Sequence, residues 1–506
     1  LSKSAFLQFI ACGLLSSSEC HLTWINWHRH AVQTLTILRP KRRFVSASAQ
    51  KPGQKNQAIK RTGENHVISR RRFIGQTGTA FAALAMLGCT DRGLTQAPRA
   101  VGFGPLVEDP NGLLDLPEGF NYRVLSQLGD LMNDGTPVPD KADGMGCFQG
   151  ENGELILVRN HELRPDDDDG SQIAEGFDTR NGRVLPGGTS HIVLDSQSLA
   201  VKRQFRSLGG TIRNCAGGTT PWNTWLTCEE APVSPGGRYG DGLGRSHGWI
   251  FEVPASAAGL TNPAPLRAMG RFNHEAACVD PSSGLVYLTE DRDDGALYRF
   301  VPAQPGNLQA GGRLQAMVIE GVKDTRNWNT QNMIQNYRFE ARWVDLEDVE
   351  SPNDDLRYQA AAKGAAVIAR GEGIHMGKNE AYICSTSGGK EKVGQVFRLS
   401  PSRDGLSDTV ELFFESRSHH VFNSGDNLTV APNGHLIVCE DQYTDVVDNY
   451  LRGLTTAGLP YDMARLRLQT ELAGACFSPD GQVLFVNVFA PTRTLAITGP
   501  WDQFVA

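Results

Sequence analysis

Short apolar runs alternate with turn clusters along most of the chain, and one arrangement of them recurs six times. In the clearest copy, residues 271–291, positions 276–279 form an apolar run and 281–284 a turn cluster. Positions 285–288 follow as a second run of strand-forming side chains, so the stretch predicts a β-hairpin. Sister hairpins are expected over 143–162, 214–230, 372–386, 426–441 and 471–488. A hairpin that cannot bury both faces alone needs neighbours of its own kind stacked around a common axis. The irregular spacing of the copies suits propeller blades with loop insertions better than a solenoid. The pattern therefore predicts an all-β fold, a six-bladed β-propeller with helical and loop insertions.

The polar residues at the hairpin ends change the picture from fold to chemistry. Asp143, Cys215, Glu275, Glu372, Asp426 and Glu471 lead the six hairpins. His161 and Glu162, Glu229 and Glu230, Glu290 and Asp291, and Glu440 and Asp441 close four of them. Turn capping accounts for any one of these acids, but not for recurrence at one repeat position. In a propeller, equivalent strand ends converge on the central channel. Carboxylates gathered there repel one another unless cations lie between them. Many oxygen ligands favour Ca²⁺, and a cysteine among them, Cys215, suits iron better than calcium or zinc. Arg370 stands two residues before Glu372, where a guanidinium can grip a phosphate with two hydrogen bonds. Arg159, His161, His274, Arg292 and Lys378 also lie near hairpin ends. A pocket holding several metals can polarise an ester.

Length and charge add limits. All-β units often run long as one domain, so 506 residues are compatible with a single propeller. The formal net charge is −7, with no basic block, which argues against a nucleic-acid partner. Of the ten cysteines, Cys228, Cys384 and Cys439 share one late hairpin position and read as small buried hydrophobes. Residues 69–89 form a twin-arginine signal segment: Arg70, Arg71 and Arg72 precede Phe73, Ile74 and a modest apolar core. That core is too short and too rich in Gly, Thr and Ala for a membrane span. Cys89 closes it, so membrane attachment is expected only if that cysteine is lipidated. Residues 1–68 are a leader, either upstream of the true start or unstructured, and 90–110 a linker. The propeller catalytic domain is expected over 111–506. The acidic run 166–169 lacks the ligand spacing of a calcium-binding loop and reads as a solvated turn. A long insertion at 304–365 leads into a helix expected over 355–370, and a second at 446–467 is expected to form a lid or loop over one channel mouth.

Several stretches resemble one family. NCAGGTTPWNTWLTCEE at 214–230, RFNHEAACVDPSSGLVYLTED at 271–291, NYLRGL at 449–454, FSPDGQVLFVN at 477–487 and AITGPW at 496–501 resemble the PhoX-type bacterial alkaline phosphatases. The resemblance runs from about residue 110 to residue 502. It implies a six-bladed propeller with a Ca²⁺- and Fe³⁺-dependent phosphomonoesterase site in its channel. It also implies export by the twin-arginine machinery to the periplasm or beyond, for phosphate scavenging. Carried over residue by residue, it places Cys215, Glu275 and Glu372 beside iron and Arg370 against the substrate phosphate, with these four forming the catalytic set. The calcium ligands are drawn from Glu230, Glu290, Asp291, Asp426, Glu440 and Asp441. Arg370-Gly371-Glu372 replaces the family's more usual Arg-Pro-Glu. Two other readings keep the fold: a calcium-dependent lactonase or esterase, and a non-catalytic binding propeller that uses calcium as glue.

Overall fold

Six antiparallel hairpins form where the pattern places them, and each supplies the two innermost strands of a blade. The computed structural model describes residues 101–167, 173–404, 406–442 and 447–505. The leader, the twin-arginine segment, Cys89 and most of the linker lie outside the described residues, as do Asp168 and Asp169. The chain divides between Asp91 and Arg92, and everything described belongs to the second unit. The innermost strands of blades 1 to 6 are Ala142–Gln149, Asn214–Thr219, His274–Val279, Gly371–Met376, Gly425–Val430 and Leu472–Phe477. Each lies against the innermost strand of the next blade, and the last returns to the first, so the ring is closed. Their hairpin partners are Glu154–His161, Thr224–Glu229, Val286–Glu290, Ala381–Ser385, Leu436–Glu440 and Val483–Val488.

Continuous apolar runs are required here because a blade is covered on both faces. Successive strand side chains point to opposite sides. Leu436 and Val438 accordingly pack with Tyr382, Cys384 and Val396 of blade 4, while Ile437 and Cys439 pack with Leu472, Ala475 and Leu484 of blade 6. Equivalent cores fill the other four blade junctions. Cys228, Cys384 and Cys439 are fully buried in these cores. Asn121–Gln127 pairs with Arg493–Thr498 as the outer strand of blade 6. Leu114–Pro117 pairs with Pro460–Leu466 at the edge of blade 5. Segments from opposite ends of the described chain thus build the last two blades together.

The insertions differ from expectation. Within 304–365, Gly312–Ile319 is the outer strand of blade 3. Arg338–Asp345 then pairs with both that strand and Asp408–Glu415 of blade 4, fusing two blades into one nine-stranded sheet. The helix expected over 355–370 forms only at Leu356–Ala362. Gly364, in the left-handed region at φ 91°, follows its end, and the chain then turns to bridge Ile368 to Gly295. The described part of the second insertion, 447–467, is no lid: Asn449–Leu454 and Pro460–Leu466 are outer strands of blade 5. In the acidic turn, Asp167 is held by Lys141 Nζ at 2.6 Å and Asp166 by Arg180. No helix of the described residues is long and apolar enough to cross a membrane.

Blade-to-blade approach near the axis is tight enough to test. A Cβ added at Gly218 stands 1.9 Å from the carbonyl oxygen of Ala277 in the next blade. Gly218→Ala is expected to lower stability by about 1–3 kcal/mol in urea unfolding, the usual cost of overpacking. An unchanged midpoint would contradict the packing of blades 2 and 3.

Candidate metal centre and active site

Every innermost strand carries a register shift at the same place. The pairs flanking it are Ala142 and Met145, Asn214 and Gly217, His274 and Ala277, Gly371 and Ile374, Gly425 and Leu428, and Ala473 and Cys476. Two residues there oppose one, the definition of a β-bulge, and the extra residue re-aims a side chain. The first bulge residues are Asp143, Cys215, Glu275, Glu372, Asp426 and Gly474. The second are Gly144, Ala216, Ala276, Gly373, Asn427 and Ala475, small with one exception. Their size matters: a Cβ at Gly144 stands 2.5 Å from Ala216 Cα, and one at Gly373 stands 2.7 Å from the Asp426 carbonyl oxygen. Asparagines tie neighbouring bulges together. Asn160 donates to the Cys215 and Ala216 carbonyls at 2.9 and 2.8 Å. Asn487 donates to the Asp143 carbonyl at 2.6 Å, and Asn427 Oδ1 accepts from Gly474 N at 2.6 Å.

The bulge side chains converge. Ligand atoms of Cys215, Glu230 and Glu275 lie within 4.8 Å of one another, as do those of Glu275, Glu372 and Asp426. Cys215 Sγ is 3.5 Å from Asp143 Oδ2. Glu275 belongs to both groups, is fully buried, and neither of its carboxylate oxygens has a hydrogen-bond partner. Asp143 Oδ1 and Asp441 Oδ1 are likewise buried without partners. Burial raises the Glu275 carboxyl well above its ordinary value, and Asp426, Glu230 and Asp143 push it the same way. Glu372 is raised by burial, Asp291 and Glu275, with Arg370 opposing. Asp143 is raised by burial, Asp426 and Glu162. The Cys215 thiol is raised by burial, Asp143 and Glu275. Unpaired buried carboxylate oxygens in this number, joined by one sulfur, fit bound cations.

Two further rings surround this one. The residues leading into the innermost strands are Lys141, Arg213, Asn273, Arg370, Ser424 and Glu471. Their carbonyls accept N–H bonds from Glu162, Glu230, Asp291, Thr386, Asp441 and Phe489 respectively. Arg370 donates from Nε to Asp291 and from Nη2 to Glu372, each at 2.8 Å. Arg213 donates from Nε to Glu162 at 2.6 Å and from Nη2 to Glu230 Oε2. Asn273 Nδ2 holds the other Glu230 oxygen at 2.7 Å. The Glu471 carboxyl is raised well above its ordinary value by burial and Asp441.

Of the residues singled out from sequence, Cys215, Glu230, Glu275, Glu372 and Asp426 are brought together, and Arg370, Asp291 and Asp441 border them. Glu290 and Glu440 are not with them, which corrects the expected ligand set. Adjacent strand residues face opposite ways, so only the second acid of each pair reaches the channel. Glu290 Oε2 accepts instead from Tyr298 Oη at 2.7 Å and Ala296 N at 3.2 Å. Glu440 Oε1 accepts from Arg452 Nε and Asn423 N, each at 2.8 Å. Glu229 is held in the same manner by His247 Nδ1 at 2.6 Å. Arg159 is buried in blade 1 on Ser126, Ser190 and Thr494; His161 Nε2 pairs with Ser190 Oγ, His274 with the Gly270 carbonyl, Arg292 with Asp354, and Lys378 is exposed. Glu471 does not occupy a bulge; one extra regular pair in blade 6 puts Gly474 there. A cavity of about 310 Å³ fills the channel beyond the bulges. Its lining includes Met145, Trp225, Cys278, Met376 and Cys476 and none of the clustered carboxylates, so the chemistry lies on the other side of the bulges.

Residues 101–492 match the family Alkaline phosphatase PhoX. The chain belongs to the PhoX alkaline phosphatase family. Metal-dependent hydrolysis of phosphate monoesters is therefore its reaction. The fold is similar to that of Pseudomonas fluorescens PhoX in complex with vanadate, a transition-state analogue. The TM-score is 0.62 at 18% identity, over 81% of this chain and 99% of that one. Two weaker likenesses are a Xanthomonas campestris gluconolactonase and the Swd1 β-propeller domain of Myceliophteria thermophila. The first has TM-score 0.36 at 14% identity, over 80% of this chain and 99% of that one. The second has TM-score 0.38 at 10% identity, over 72% of this chain and 98% of that one. No curated protein sequence matches the chain.

Two outcomes follow from the PhoX centre's geometry. Without cations, folding favours the protonated forms of Asp143, Glu275, Glu372, Asp426 and Glu471. Stability from this source is full below the ordinary carboxylate range, about pH 4, and is lost as pH rises through the folded values; for Asp426 that is about 7. Bound cations oppose that loss, so chelation is expected to lower the thermal midpoint more at pH 8 than at pH 5; equal drops would contradict the crowding. Second, Glu372→Gln is expected to reduce bound metal in elemental analysis. Glu440→Gln is expected to keep the metal and lose about 1–3 kcal/mol of stability, because it weakens a buried charged hydrogen bond.

Proposed function

We propose that the chain is an exported phosphatase in which calcium and iron ions at the propeller axis act with Arg370 on the phosphoryl group of small phosphomonoesters. The observation that carries this reading is Glu275, wholly buried, unpaired at both oxygens, and common to two adjacent groups of ligand atoms. The sulfur of Cys215, with Glu275 and Glu372, suits iron. Glu230, Asp291, Asp426 and Asp441 supply the oxygen ligands that suit calcium. Burial and neighbouring acids hold the Cys215 thiol protonated, so its role as a ligand depends on a cation displacing that proton. Bound cations supply Lewis-acid stabilisation of the charge that builds on the phosphoryl oxygens.

The chain's own groups orient the substrate. Asp291 and Glu372 fix the Arg370 guanidinium at Nε and Nη2, and Nη1 is the end of the fork proposed to meet a phosphoryl oxygen. The Arg370 side chain is 34% exposed, so it is reachable from the channel mouth. Its guanidinium stays charged, because Glu372 above all, with Asp291, holds its proton against the opposing effect of burial. Two adjacent groups of ligands and a flanking arginine favour a phosphate over a lactone or a carboxylic ester. Arg70, Arg71 and Arg72 ahead of the short apolar core support export by the twin-arginine machinery, and hence phosphate scavenging in the periplasm or outside the cell.

Purified full-length protein is expected to hydrolyse a chromogenic phosphomonoester, to lose the activity with a chelator, and to regain it with calcium and iron. Equal rates with and without chelator overturn the metal mechanism. Cys215→Ser is expected to lose iron in elemental analysis together with activity, whereas a protein using calcium only as glue tolerates the change.

A further inference from the structure

The residues leading into the innermost strands show a second regularity. Lys141, Arg213, Arg370 and Ser424 each stand two positions before the first bulge residue, and all four are non-glycine residues in the left-handed region, at φ 55°, 45°, 45° and 52°. Side chains rarely adopt this conformation, and where it recurs at a site it points to a positioning role. Lys141 turns aside to Asp167, and Ser424 carries no charge. The two arginines remain, in matching places of blades 2 and 4.

Their surroundings match as well. Each guanidinium bridges two carboxylates, Arg213 between Glu162 and Glu230 and Arg370 between Asp291 and Glu372. Each is salt-bridged to a member of a different ligand group, Glu230 of the group around Cys215 and Glu372 of the group around Asp426. The side chains are similarly open, at 30% and 34% exposure. Neighbouring carboxylates hold the Arg213 guanidinium charged against the effect of burial. Three donors of its fork are engaged, by Glu162, the Glu230 carbonyl and Glu230 Oε2, and a guanidinium carries five.

We infer that Arg213 is a second phosphoryl-binding residue, which closes with Arg370 on the substrate phosphate from opposite sides of the shared Glu275. The inference rests on the phosphomonoesterase reading above. It assigns to each ligand group its own arginine, so the equatorial phosphoryl oxygens are met by guanidinium N–H groups on both flanks. A lysine at 213 keeps the charge and the contact with Glu162 but loses the fork.

The test uses full-length, metal-loaded protein, with Arg213→Lys and Arg213→Ala beside wild type. Three quantities are read: KM and kcat on a chromogenic phosphomonoester, inorganic phosphate binding by calorimetry, and metal content. Arg213→Lys is expected to keep its metals, raise KM and weaken phosphate binding by about tenfold or more, as befits loss of a charge-assisted hydrogen bond. Added guanidinium ion is expected to restore part of the phosphate binding of Arg213→Ala. Unchanged KM and phosphate binding in Arg213→Lys, or a loss explained wholly by missing metal, overturns the role of Arg213 alone. Wild-type protein that neither hydrolyses the ester nor binds phosphate instead strikes down the phosphomonoesterase reading.

Discussion

The centre depends on one backbone irregularity repeated around the ring, the β-bulge in each innermost strand. A regular strand sends its side chains alternately into the two neighbouring blade junctions. The residue added by the bulge escapes that alternation, and five of the six first bulge positions hold an acid or a cysteine. The small residue beside all but one of them lets neighbouring backbones approach, as at Gly144 and Gly373. Asparagines opposite or beside the bulges fasten the strands at that spacing. Asn160 spans blades 1 and 2, and Asn487 spans blades 6 and 1.

The acids divide into two populations by the direction in which they point. Glu229, Glu290 and Glu440 point into the blades, and each accepts from a nearby donor, respectively His247, Tyr298 and Arg452, while burial still raises the Glu290 and Glu440 carboxyls to about 7. The imidazole of His247 is raised to about 9 by the carboxylates beside it, Glu229 above all, with burial opposing. The axial acids have few such partners, and their mutual repulsion is what makes the position suited to cations. Arg213 and Arg370 stand at the border between these populations, where guanidinium charge offsets part of the repulsion without filling the axis.

Much of this was legible in the chain itself. The six hairpins, the leading acids at Glu275, Glu372 and Asp426, and the odd cysteine at Cys215 are all local patterns with a repeat. Adjacent acids such as Glu290 and Asp291 were not separable, because which of two neighbours faces the channel depends on a pairing register that sequence does not display. The same register hid the place of Glu471, displaced by one additional strand pair in blade 6. Arg213 stands two residues before Cys215 just as Arg370 does before Glu372, a signal visible only when the copies are aligned at that offset. The helix expected to reach residue 370 ended early because the alanines favour helix locally, while Gly364 and the bridge from Ile368 to Gly295 impose a tertiary route.

The pairing of Asn121–Gln127 with Arg493–Thr498 joins early and late stretches of the polypeptide in one blade. During synthesis the early strand waits, unpaired, until the ribosome has released nearly the whole domain. The two ligand groups draw on blades 2 to 5, so they can meet only after residue 426 has been made. Completion of blade 6, and with it the closed ring, is thereby tied to the last strand of the domain.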